Sequence, residues 1–170
     1  MLNLYREKVL VDASIKCGNQ VFKVHKAILA SQSPVFRKTF EVDMKEKRSG
    51  VIEISDPDVS PEVVSDLVTY LYTGNAPGIR TQAEELLKVA HLYEIPRLLK
   101  MCEDELQKSI TAGNVCNLLL LAELHAAQEL KEKCTEFIHL NSRSVHKTQG
   151  WQEIKDKAPG ILCEVLEYQK

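Results

Sequence analysis

Residues 25–36 read HKAILASQSPVF, and the fold turns on how this stretch is parsed. The small apolar run AILAS favours a short helix. Ser33-Pro34 then restarts the chain. A serine hydroxyl caps a second helix, and proline takes its first position, where a missing N–H costs nothing. Val35, Phe36 and Phe40 follow at near-helical spacing and form the apolar face of that second helix.

Upstream, Val11, Ala13, Ile15 and Cys17 alternate along VDASIKC (11–17), which predicts a strand with one inward face. Gly18-Asn19 supplies a turn, and QVFKVHK (20–26) places Val21 and Phe22 on opposite faces of a second strand. A hairpin is expected. Downstream lies EVDMKEKRSG (41–50), in which six of ten side chains are charged and Met44 stands in the middle. A methionine in such a run either plugs a gap in the core or serves as an anchor for a partner.

VIEIS (51–55) predicts a third strand, and Ser60-Pro61 repeats the capping device ahead of a helix that runs to Gly74. Val63, Val64, Leu67, Val68 and Leu71 form its buried stripe. The stretch GNAPG (74–78) reads as a turn. From about residue 82 the period is helical, with stripes at Leu86, Leu87, Ala90 and Tyr93, then Leu98, Leu99, Cys102 and Leu106. VCNLLLLAELH and AAQELKEKCTEFIHL are joined tightly enough to pack as a helical hairpin. In the tail, Gly150 and Pro159-Gly160 are expected to separate short helices. The class is therefore α+β: a strand-rich first part set among helices over 1–111, and an all-helical extension over 112–170.

Bulk composition narrows function. Twenty-two basic residues against 24 acidic leave a net charge of −2, which provides no general field for nucleic acid or anionic lipid. The five cysteines are odd in number, widely spaced and without a CxxC pair, so reduced thiols are expected rather than a disulfide framework or a zinc cluster. The N-terminus lacks the apolar block of a signal peptide, and no run reaches the ~20 apolar residues of a membrane span. A soluble intracellular protein, nuclear or cytoplasmic, is the expectation.

Nucleophile elbow, P-loop, GxGxxG and HExxH are missing. Cys102, Cys116 and Cys134 fall on apolar helix faces, where a thiol behaves as a small hydrophobe. No two histidines have ligand spacing on one helix face. No catalytic residue, metal or cofactor is expected. A cysteine-dependent enzyme is the least favoured alternative.

HKAILASQSPVF (25–36), YLYTG (70–74) and LLKVAHLYEIPRLLKMCEDEL (86–106) together resemble a BTB/POZ domain, most closely that of speckle-type POZ proteins, which carry a MATH domain followed by BTB. LLLLAELHAAQELKEKCTEFI and the later Gly150-Trp151 resemble the 3-box and shortened BACK region of the same proteins. The resemblance implies a BTB/POZ fold, a small sheet flanked by helices, with a 3-box/BACK-like extension. It also implies a non-enzymatic adaptor that dimerises and binds the N-terminal region of cullin-3, recruiting a ubiquitin ligase. Substrates would be chosen by a MATH domain, for which these 170 residues hold no counterpart.

The family's cullin-binding loop carries an apolar residue, any residue, then glutamate, and Met44-Lys45-Glu46 stands at the matching place. Val42, Met44, Glu46 and Lys47 are thus the implied cullin contacts, with Met44 the anchor and the hairpin near 114–140 flanking the same surface. For pairing, the resemblance points to Leu2, Leu4 and Tyr5 in the leading segment and to Ala27 and Ile28 in the HKAIL helix. Leu166 marks a second self-association contact that would extend dimers into higher oligomers. The alternative is a BTB scaffold of a transcriptional regulator that oligomerises without binding cullin; the 3-box-like extension argues against it.

Overall fold

In the computed structural model, which describes residues 7–41 and 49–167, β1 (Ala13–Cys17) pairs antiparallel with β2 (Gln20–Val24) and parallel with β3 (Val51–Ile54). The sheet order is β2-β1-β3. Ala13 pairs with Val24 across the hairpin, and Ser14 pairs with Val51 on the parallel side. On the central strand β1, Ala13, Ile15 and Cys17 are buried on the inward face, and on the opposite face Ser14 is buried while Lys16 stays exposed. Strict alternation along β1 is lost for that reason.

The first helices start where the sequence places them. The first N–H of helix α1 (Lys26–Gln32), that of Lys26, donates to Asp12 Oδ1 at 2.8 Å. Helix α2 (Pro34–Glu41) is capped by Ser33, whose Oγ accepts the Phe36 N–H at 3.1 Å and donates to the Tyr93 carbonyl. The Phe36 ring stacks on Tyr93 at 4.3 Å. Helix α3 (Pro61–Thr73) is capped by Ser60, whose Oγ accepts from the Val63 N–H at 3.3 Å. It ends at Gly74, with φ +77, where an L side chain would strain the backbone. The expected stripe of five residues is buried, and Tyr70 and Tyr72 are buried with it. Helix α4 (Ile79–Leu92) buries Leu86, Leu87 and Ala90, and Tyr93 just beyond it is buried too.

The chain divides into two compact units between Leu99 and Lys100, within α5 (Pro96–Gln107). The second unit is helical: α6 (Val115–Leu124), α7 (Gln128–Leu140), α8 (Ser142–Val145), α9 (Gln149–Lys157) and α10 (Pro159–Glu167). Helices α6 and α7 pack as the expected hairpin, and Lys131 reaches Glu123 at 2.6 Å between them. Helix α7 is capped from α5. Glu103, itself buried, accepts the N–H groups of Glu129 at 3.1 Å and Leu130 at 3.2 Å through Oε1.

The tail departs from expectation. Gly150 lies in the first turn of α9 rather than between helices, and a Cβ there would stand 2.9 Å from the Cβ of Cys116 on α6. The glycine permits a close helix approach. Thr148 makes the start, accepting the Trp151 N–H at 3.3 Å. Pro159 and Gly160 occupy the first turn of α10, so the break falls at Ala158.

Candidate partner-binding site

Helix α4 stops at Leu92, and the chain turns through Tyr93, Glu94 and Ile95 into Pro96. Glu94 N–H donates to the His91 carbonyl at 3.0 Å, and Ile95 N–H to the Ala90 carbonyl at 2.8 Å. These are the paired bonds of a Schellman motif, completed by buried Ile95 and Ala90. Glu94 holds its left-handed position with φ +50. Beside this turn opens a groove of about 570 Å³, lined by Pro34, Ala90, Leu92, Ile95, Pro96 and Leu99, with His91 and Glu94 as its polar members. Leu92 is 54% exposed there. Pro34 opens α2, and the far end of that helix, Glu41, lies roughly 10 Å away by helical rise. The charged run containing Met44 leaves from that end.

Val42, Met44, Glu46 and Lys47 lie outside the described residues, as do Leu2, Leu4 and Tyr5. Of the implied pairing residues, Ala27 is exposed and Ile28 half-buried on α1, while their neighbour Leu29 is fully buried and fastens the helix. The leading chain is tied to this corner by His25. Its Nε2 donates to the Val9 carbonyl at 2.7 Å, and its Nδ1 lies 2.6 Å from the Tyr72 hydroxyl. A carbonyl only accepts, so Nε2 carries the hydrogen. Leu10, with φ +58, is 83% exposed.

In the second unit, α6 also ends in a Schellman motif, with Ala126 at φ +52 and Ala127 N–H bonded to the Ala122 carbonyl at 2.8 Å. Leu124, just before that turn, is 72% exposed. Leu166 on α10 is 69% exposed, and Leu140 at the end of α7 is similarly open. His139 Nε2 donates to the Val165 carbonyl, which joins the last turn of α7 to α10 beside those two leucines.

Four of the five thiols are buried. Burial, and behind it the Glu103 carboxylate, pushes Cys102 up to about 12. Burial likewise pushes Cys134 to about 12, with Cys116 adding to it. Cys17 and Cys116 are raised too, each chiefly by burial. A thiol held protonated at neutral pH is a poor nucleophile. Among the described residues no group of three or more His, Cys, Asp or Glu could hold a metal ion, and no helix is long and apolar enough to cross a membrane.

Periodicity alone did not reveal the groove. Its one legible trace is Leu92, which falls off the stripe formed by Leu86, Leu87, Ala90 and Tyr93 and so has no place in that helix's core.

Comparison with known proteins agrees with both parts of the chain. A model of the BTB/POZ domain matches residues 1–110, and a model of the BPM/SPOP BACK domain matches residues 114–166. TD and POZ domain-containing protein 4 of Mus musculus is 35% identical over 165 residues, 96% of this chain and 44% of the mouse protein. The chain thus spans less than half the length of that curated relative.

Proposed function

Since the chain belongs to the BTB/POZ family and carries a BACK domain of the BPM/SPOP type, we propose that it is a non-enzymatic adaptor. It pairs with a second copy of itself and binds the N-terminal region of cullin-3, bringing a ubiquitin ligase to substrates held by a separate domain. The observation that carries this reading is the BPM/SPOP-type BACK match directly after the BTB domain. That extension argues against the alternative of a transcriptional scaffold that oligomerises without binding cullin.

The groove beside the α4–α5 turn supports the reading. An apolar side chain from a partner helix entering it would contribute about 1.5–3 kcal/mol, the size of a binding hot spot. Met44 and Glu46, with Val42 and Lys47 around them, form the second part of the cullin site, reached from the far end of α2. One side chain cannot hold a stable complex, since specific interfaces bury roughly 1,200–2,000 Å² in total. Within the second unit, the exposed Leu124 and Leu140 offer a contact surface of their own. Leu2, Leu4, Tyr5, Ala27 and Ile28 form the pairing surface. Leu166 serves a second contact between dimers.

Titration calorimetry with the cullin-3 N-terminal region tests the proposal. Met44→Ala and Glu46→Ala should each weaken binding while leaving the melting temperature close to that of the parent. Unaltered affinity in both variants removes the loop from the site, and no binding by the parent chain ends the adaptor reading.

A further inference from the structure

Glu94 occupies a backbone position that a glycine would hold without strain. At φ +50 it closes the Schellman motif of α4, whereas the same chain ends α3 with Gly74 at φ +77. The turn itself does not call for a carboxylate, because α6 closes with the same two hydrogen bonds around Ala126 at φ +52. The Glu94 side chain is exposed and makes no hydrogen bond or ion pair with any described residue. It contributes nothing to the fold that Gly would not exceed. It does place a negative charge on the rim of a groove whose other lining, His91 apart, is apolar. A strained residue that carries an unused charge at a binding groove points to recognition.

We infer that Glu94 is a specificity-determining residue of the partner groove, and that it selects a lysine or arginine on the cullin-3 helix whose apolar side chain enters beside Leu92. This rests on the adaptor reading above. The groove supplies burial but little discrimination, since any apolar side chain of suitable size fills it. A fixed rim charge adds selectivity, by attracting a basic partner and repelling an acidic one. The left-handed backbone sets the direction in which the carboxylate leaves the turn, so its position is defined better than that of a surface glutamate inside a helix.

Glu94→Gly separates recognition from folding, because glycine relieves the backbone while deleting the charge. Its melting temperature should equal or exceed that of the parent chain. Its affinity for the cullin-3 N-terminal region should fall about two- to fivefold, the range of an exposed ion pair, mostly through a slower association rate. Glu94→Lys, equally strained, should associate more slowly still, and its rate should lose the decline with added salt that the parent shows. Rates unchanged in both variants, with the parent binding normally, overturn the role of Glu94 and leave the adaptor reading standing. A parent chain that does not bind cullin-3 overturns both.

Discussion

The Tyr72 hydroxyl meets His25 twice, accepting its backbone N–H at 3.0 Å and standing 2.6 Å from its Nδ1. Through the other ring nitrogen the same histidine holds the Val9 carbonyl. A buried tyrosine of α3 thereby fixes the first turn of α1 and, one bond further, the leading chain. The histidine-lysine pair that opens HKAIL is a structural clamp at this corner.

Tyr72→Phe should therefore destabilise the protein by about 1–2 kcal/mol, because the His25 N–H loses its acceptor while the ring packing is kept. Urea melts give the loss. Amide exchange around residues 9–12 should speed up more than exchange within α4. Uniform acceleration would show that the clamp does not act locally.

Glu103 performs a comparable task in the second unit. Its carboxylate oxygen takes two N–H groups at the start of α7, the hydrogen bonds that no residue within α7 supplies. Glu103→Ala leaves both donors without their partner and should cost about 2–3 kcal/mol, whereas Glu103→Gln keeps one oxygen in reach and should cost about half as much. Equal losses in denaturant melts of the two variants would mean that the side chain acts through packing rather than through its oxygen.

How far the sequence carried varies with the kind of signal. Caps written as Ser-Pro are local chemistry, and Ser33 and Ser60 perform as read. The stripes of α3 and α4 survive, since burial is what produces the period. On α5, by contrast, Leu99 is only half-buried and lines the groove, and on α2 only Phe36 of the expected face is fully buried. Gly150 is misread for a physical reason: a glycine that breaks a helix and one that lets two helices touch look alike until the partner, Cys116, is known. The Schellman turns were hidden because neither uses glycine at the left-handed position. Glu103 is invisible as a cap, since its targets lie 26 and 27 residues away. Of the implied cullin and pairing residues, only Ala27, Ile28 and Leu166 fall among the described ones, and all three are at least partly open to solvent.

The buried thiols make the protein sensitive to alkali. Cys102 and Cys134 stand at about 12 in the folded chain against an ordinary value of 9.0. Below pH 9 both states hold these protons, so stability there is unaffected. As pH rises from 9 towards 12 the unfolded chain releases them first, and stability falls by roughly 1.4 kcal/mol per pH unit for each thiol. Urea melts at pH 8 and 10.5 should show this decline, and Cys102→Ala should reduce its slope. In the native protein at neutral pH, an alkylating reagent should reach the exposed Cys163 while the four buried thiols stay intact. Rapid labelling of Cys102 would contradict its burial.

Pairing through α1 can be tested without harming the fold. Ala27 is exposed, it is the second residue of α1, and the first turn of that helix holds no acidic residue. An aspartate there faces the positive end of the helix dipole, so Ala27→Asp should leave the isolated chain as stable as before or slightly more so. In a two-fold dimer the same surface meets its own copy, and each introduced charge is opposed by its twin or taken out of water. The variant should lose association by an order of magnitude or more, read as a shift from dimer to monomer mass in sedimentation equilibrium, with an unchanged circular dichroism spectrum. Leu29, two residues further on and fully buried, anchors the helix and serves as the contrasting site, since Leu29→Asp should unfold the first unit rather than separate the subunits. A dimer that survives Ala27→Asp with undiminished affinity would take α1 out of the interface and leave pairing to the segment before Glu7.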